Sequence, residues 1–166
     1  MHHDTKKSLL LGGIIGSVLT GLFMSKKGKE MRKQALLVAS HLYKELDKKA
    51  EHLLELSQEK YEELVEVLVK EYAKKKDLAD EMRDQVTQRL KAQWEHLEVD
   101  GLLRLVRKEF ARASDQTKEA YGEIVDVVVE KYTEEKALGV GIKKRLAKEI
   151  MERYQIVKDE YRERKI

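Results

Sequence analysis

The chain carries one helical pattern twice, at an offset of sixty residues, so its fold has to accommodate the same unit in duplicate. Glu59 to Tyr72 (EKYEELVEVLVKEY) aligns with Glu119 to Tyr132 (EAYGEIVDVVVEKY). The register continues through Lys76 with Lys136, Leu78 with Leu138, Met82 with Ile142, Val86 with Leu146, Leu90 with Ile150 and Trp94 with Tyr154. The last four pairs recur every four residues, which puts them on one face of a helix. Each copy reads as a helix ending after its second tyrosine, a short break and a second amphipathic helix. The expected core of the first copy is Tyr61, Leu64, Leu68, Tyr72, Met82, Val86, Leu90 and Trp94. That of the second is Tyr121, Ile124, Val128, Tyr132, Ile142, Leu146, Ile150 and Tyr154.

Between the copies, Val99-Asp100-Gly101 reads as a linker, with Asp100 as a cap for a helix starting near Leu102. In the break of the first copy, Asp77 is placed to cap the following helix, with Asp80 three residues on. In the second copy Gly139 and Gly141 interrupt the helical pattern. Upstream, Tyr43, Leu46, Ala50, Leu53 and Ser57 form a heptad-like seam. A continuous helix from about Lys29 to Lys75 is therefore expected, roughly 70 Å long. Proline is absent and Glu, Lys, Leu and Ala are abundant, which favours uninterrupted helices. The β-branched runs Leu64 to Val69 and Ile124 to Val129 sit inside helical spacing, so they are read as helix. The expected class is all-α, an elongated helical bundle built from two tandem helix-hairpin repeats.

A second feature sets the solvent. Residues Leu9 to Met24, LLLGGIIGSVLTGLFM, carry no charge. Lys6 and Lys7 precede them; Lys26, Lys27, Lys29, Arg32 and Lys33 follow. As a helix the run spans roughly 24 Å; with Ser8, Ser25 and snorkelling lysines it approaches the hydrocarbon core of about 30 Å. Gly12 and Gly16 form a GxxxG pair, and Gly13, Ser17 and Gly21 a second small-residue ladder, the spacing that lets membrane helices pack closely. The end of the run lacks the small-x-small pattern of a signal cleavage site, so an uncleaved anchor fits better than a secretory signal. The excess of cations after the span puts the rest of the chain on the cytoplasmic side, and the same Lys26, Lys27, Lys29, Arg32 and Lys33 would meet anionic lipid headgroups. A core helix of a soluble protein is the alternative.

The glycine-spaced run followed by Ser25-Lys26-Lys27-Gly28-Lys29-Glu30-Met31-Arg32-Lys33 resembles the start of the YtxH-like proteins. The matching positions are Gly12, Gly16, Lys26, Gly28, Lys29, Glu30 and Arg32; Ser25 stands in a turn where that family commonly has proline. The resemblance covers residues 9 to 33. It implies a small bacterial, membrane-anchored protein of the stress-associated kind. It implies no chemistry for the remainder.

The organisation expected is thus a tail over residues 1–7, a transmembrane helix over 8–25 and a basic juxtamembrane, heptad-like helix over 26–58. Repeat 1 covers 59–98, a linker and connecting helix 99–118, and repeat 2 119–166. Basic and acidic residues nearly balance, 34 against 31, and are interspersed, a pattern of solvated helical faces rather than nucleic-acid arms. With no cysteine there is no disulfide or thiolate chemistry. His41 and Glu45 have i, i+4 spacing but lie on a densely charged helix, so no metal, cofactor or catalytic site is assigned. HExxH, P-loop and GxGxxG patterns are missing. The recurring aromatics are read as matched core positions, with a ligand box as the rival reading. The function expected is a non-enzymatic, membrane-anchored helical scaffold or adaptor of the bacterial envelope. Its expected partners are membrane lipid and a protein or a second copy of itself. A peripheral amphipathic lipid-binding protein and a soluble helical interaction domain with a buried apolar N-terminus are the alternatives.

Overall fold

A computed structural model describes residues 28–164. Eight helices make up the described part: α1 (Gly28–Asp47), α2 (Ala50–Leu53), α3 (Gln58–Lys76), α4 (Asp80–Lys91), α5 (Trp94–Arg112), α6 (Lys118–Glu135), α7 (Val140–Met151) and α8 (Tyr154–Arg164). Among the described residues there is no strand, and both β-branched runs lie inside helices, α3 and α6. No helix among them is long and apolar enough to cross a membrane. The expected transmembrane segment, with Gly12, Gly13, Gly16, Ser17 and Gly21, lies outside the described residues, as do Lys26 and Lys27.

The chain divides into two compact units, one ending at Leu97 and the other starting at Glu98. The first holds one core: Val38, Leu42 and Leu46 from α1, Leu53 from α2, Tyr61, Leu64, Val65, Leu68, Val69 and Tyr72 from α3, Met82, Val86 and Leu90 from α4, then Trp94 and Leu97. Here α4 packs along both α1 and α3. In the second unit α6 packs along α7, and the buried residues are Glu98, Val99, Gly101, Leu102, Leu103, Val106, Phe110, Tyr121, Val125, Val129, Tyr132, Thr133, Leu146, Ile150 and Val157.

The duplication is therefore longer than a hairpin. Val38, Ala39, Leu42, Leu46 and Ala50 are buried at the same sixty-residue offset as Glu98, Val99, Leu102, Val106 and Phe110. Each copy is a three-helix unit, the first helix being α1 with α2 in one copy and α5 in the other. The expected linker at Val99-Asp100-Gly101 is corrected accordingly: it lies inside α5. Burial of Leu97, Val99, Leu102, Leu103 and Val106 along that helix outweighs a mid-helix glycine, which costs about 1 kcal/mol.

The expected continuous helix from Lys29 to Lys75 is also corrected. The chain leaves helix α1 after Asp47, makes the single turn α2, breaks again and starts α3, where the Ser57 hydroxyl accepts the Lys60 backbone N–H at 3.2 Å. Thr117 makes the equivalent bond to the Ala120 N–H, also 3.2 Å, at the start of α6. A hydroxyl at this position satisfies one of the donors that every helix start leaves open. Helices α3 and α6 end alike as well. Asp77 and Ala137 both have φ of 52°, and the N–H groups of Leu78 and Leu138 reach back to the carbonyls of Ala73 and Thr133 at 3.0 and 2.9 Å. This is a left-handed helix stop closed by the N–H of the following leucine. Asp77 thus ends α3 instead of capping α4, whose N-cap is Ala79 without a side-chain bond. Gly139 is the N-cap of α7, and Gly141 lies inside that helix rather than breaking it.

Candidate functional site

Hydrogen-bonding side chains recur in register within the two cores. The Tyr61 hydroxyl donates to the Leu90 carbonyl at 2.5 Å, and the Tyr121 hydroxyl to the Ile150 carbonyl at 2.6 Å. Both acceptors lie in the last turn of a helix, α4 or α7, where the carbonyl takes a tightened i, i+3 bond from the N–H of Gln93 or Arg153 and has a second lone pair for the tyrosine. Each tyrosine therefore ties the start of one helix to the end of the next. Burial raises the Tyr61 hydroxyl far above its ordinary range and pushes that of Tyr121 up to about 12. Aromatic rings pack around them: Trp94 lies 5.0 Å from Tyr61, Phe110 5.5 Å from Tyr121 edge-on, and Tyr154 5.2 Å from Tyr121. These rings fill core positions against one another.

The copies differ most at one buried charged group. Glu98 is 4% exposed; its carboxylate accepts from the Tyr132 hydroxyl at 2.6 Å and from the Arg145 guanidinium at 3.3 Å. Burial first, then the bond to Glu98, holds the Tyr132 hydroxyl protonated far above its usual range. The first copy has Val38, Tyr72 and Gln85 at these positions. Tyr72 is buried too, and burial raises its hydroxyl in the same direction. The arrangement in the second copy is a hydrogen-bonded ion pair within a helical core. Tyr132 and Arg145 both bond to Glu98, which ties helices α5, α6 and α7 together.

Of the residues expected in the repeat core, Tyr61, Leu64, Leu68, Tyr72, Met82, Val86, Leu90, Trp94, Tyr121, Tyr132, Leu146 and Ile150 are buried. Ile124, Val128 and Tyr154 are half-buried, with Val125 and Val129 taking the inner face of α6. Ile142 is corrected outright: it is 38% exposed, whereas its counterpart Met82 is 1% exposed. Met82 shares its cluster with Ala35 and Ala39 of α1. The second copy has Glu95 and Val99 there, and an exposed glutamate offers no apolar seat.

A surface that combines cations with exposed leucines lies on α1. Lys29, Arg32 and Lys33 are exposed, and between Arg32 and Lys44 the same side of the helix carries Leu36 and Leu37, 49% and 56% exposed. A groove of about 510 Å³ runs beside this face, lined by the apolar Leu36, Ala39, Leu90 and Ala92 and by the cations Lys44 and Arg89. The basic cluster expected from the sequence stops at Lys33. Its continuation to Lys44 is legible as an i, i+4, i+7, i+8, i+11, i+15 stripe, whereas Arg89 joins it only through the packing of α4 on α1. Among the described residues no group of acidic or histidine side chains is arranged to hold a metal ion. No family model, no curated protein and no solved structure matches the chain.

Proposed function

We propose that this protein is a membrane-anchored, non-enzymatic helical scaffold of the bacterial envelope, with its duplicated helical units on the cytoplasmic side. The observation that carries the reading is the uncharged run Leu9 to Met24, set between lysines and followed directly by the basic start of α1. The resemblance of residues 9 to 33 to YtxH-like proteins supports the bacterial, membrane-associated setting. The packed, hydrogen-bonded aromatic and polar side chains of both cores support a structural over a catalytic role. Gly12, Gly13, Gly16, Ser17 and Gly21 give the anchor a small-residue surface for self-association or a second membrane helix. Lys26, Lys27, Lys29, Arg32 and Lys33 contact anionic headgroups.

Extraction of membranes with alkaline carbonate tests the anchor. The protein stays with the membrane pellet, and deleting Leu9 to Met24 moves it to the soluble fraction with its helix content intact. Gly16→Arg has nearly the same effect, because a mid-span arginine costs about 2.5–3.5 kcal/mol on insertion. A wild-type protein that washes off in carbonate refutes the reading.

A further inference from the structure

We infer that the outer face of α1, together with the groove beside it, docks flat on the surface of an anionic lipid bilayer. This rests on the membrane-anchored reading but goes beyond it, because it assigns a folded part of the chain to the lipid surface. With 3.6 residues per turn, Lys29, Arg32, Lys33, Leu36, Leu37, Ser40, Tyr43 and Lys44 share one side of α1. The side with Ala35, Val38, Ala39, Leu42 and Leu46 is committed to the core, and Tyr43 at the edge of the outer face packs against it. The outer stripe holds no carboxylate from Lys29 to Lys44; Glu30 sits at its margin beside Leu37. Its two leucines are among the large exposed apolar residues of the molecule, and they lie between two tiers of cations.

The groove supplies the second observation. Arg89 at the end of α4 faces the same groove as Lys44, so cations from two helices flank an apolar trough with no acidic side chain in its lining. Cations beside exposed leucines are the pattern of a helix lying in a headgroup layer: leucine enters the acyl boundary while lysine and arginine stay at the phosphates. A protein partner would need a matching acidic and apolar surface. A bilayer rich in anionic lipid provides both over any area, and the chain just upstream carries the proposed anchor.

The natural chain has no cysteine, so Leu37→Cys takes a single environment-sensitive fluorophore. The full-length labelled protein is reconstituted into vesicles of phosphatidylcholine alone or of phosphatidylcholine with phosphatidylglycerol, and association is checked by flotation. In the anionic vesicles the emission shifts to the blue and is quenched by lipids brominated high on the acyl chain. High salt reverses the shift, and Lys44→Glu with Arg89→Glu abolishes it. In phosphatidylcholine the probe stays red, as does one at Val127→Cys on α6 in either vesicle. If the protein floats with both vesicles but the Leu37 probe stays red in both, the docking is refuted and the anchor stands. An equal blue shift in both lipids, or at Val127, also refutes it. A probe already blue without vesicles shows that protein covers the face instead, which overturns the docking. Failure to float with anionic vesicles overturns both the docking and the anchor.

Discussion

At the scale of single residues, the informative differences are those between positions that share a register. Glu98, Tyr132 and Arg145 form a buried polar set where the first copy has Val38, Tyr72 and Gln85. Removing one member of a buried ion pair strands the other, whereas replacing both with compatible groups is often neutral. Glu98→Val alone should therefore lower stability by about 2 kcal/mol, since Arg145 is partly exposed and can turn toward water. Glu98→Val with Arg145→Gln, which recreates the first copy's chemistry, should recover most of that loss in denaturant titrations. The buried tyrosines set the alkaline limit. Tyr121 titrates near 10 unfolded and at about 12 folded, so above pH 10 the unfolded state releases a proton the native state keeps. Stability should be insensitive to this group below pH 10 and fall as pH rises beyond it, by on the order of 2 kcal/mol from Tyr121 by pH 12. Tyr61, Tyr72 and Tyr132 act in the same direction. Tyr121→Phe should flatten the slope while losing about 1 kcal/mol at neutral pH for its bond to the Ile150 carbonyl.

At the scale of elements, helix type and the interior faces of α3 and α4 are legible in the sequence because apolar spacing is a local signal, whereas in α6 the run of β-branched residues hides that Val125 and Val129, not Ile124 and Val128, take the inner face. Boundaries are less so. Ser57 reads as one more member of a heptad seam, and its role as a cap shows only in the bond to the Lys60 N–H. The clue lies in the repeat itself, since Thr117 occupies the same position in the second copy. Gly101 reads as a linker, because a turn signal is local while the burial that overrides it comes from the rest of the unit. Ile142 is misplaced for a related reason: its own spacing is right, but the seat opposite it changes from alanines to Glu95 and Val99. The basic, leucine-bearing face of α1 is legible along the helix, but Arg89 is not, because sequence spacing says nothing of which helix α4 packs on. The caps give a paired test by thermal or urea unfolding. Ser57→Ala and Thr117→Ala should each cost about 1 kcal/mol. Glycine and alanine should have opposite effects four residues apart. Ala137→Gly relieves a left-handed alanine by about 1 kcal/mol, and Gly141→Ala, which has open space around it and lies within α7, gains about 0.5–1 kcal/mol.

At the scale of the whole molecule, duplication makes each sixty-residue unit end where the next helix begins. Trp94 and Leu97 complete the first core, and Tyr154 and Val157 stand at the same positions in the second. Beyond these the copies part. Helix α5 continues with Val99, Leu102 and Leu103, all buried, where α8 has the exposed Asp159, Arg162 and Glu163. The apolar set makes α5 the first helix of the second unit, whereas the charged set leaves α8 facing water at the same register. Because the sole tryptophan lies in the first core, its fluorescence reports that unit, whereas circular dichroism reports helices in both. Trp94 is 6% exposed, so native emission should be blue-shifted and move red on unfolding. Trp94→Ala should cost about 3–5 kcal/mol, and the loss should fall on the first unit. Tyr121→Ala should remove a comparable amount from the second, bringing forward part of the circular dichroism transition while the tryptophan transition moves little. If both probes shift together in Tyr121→Ala, the units do not unfold separately, and the unbroken helix from Trp94 to Arg112 makes them one cooperative fold.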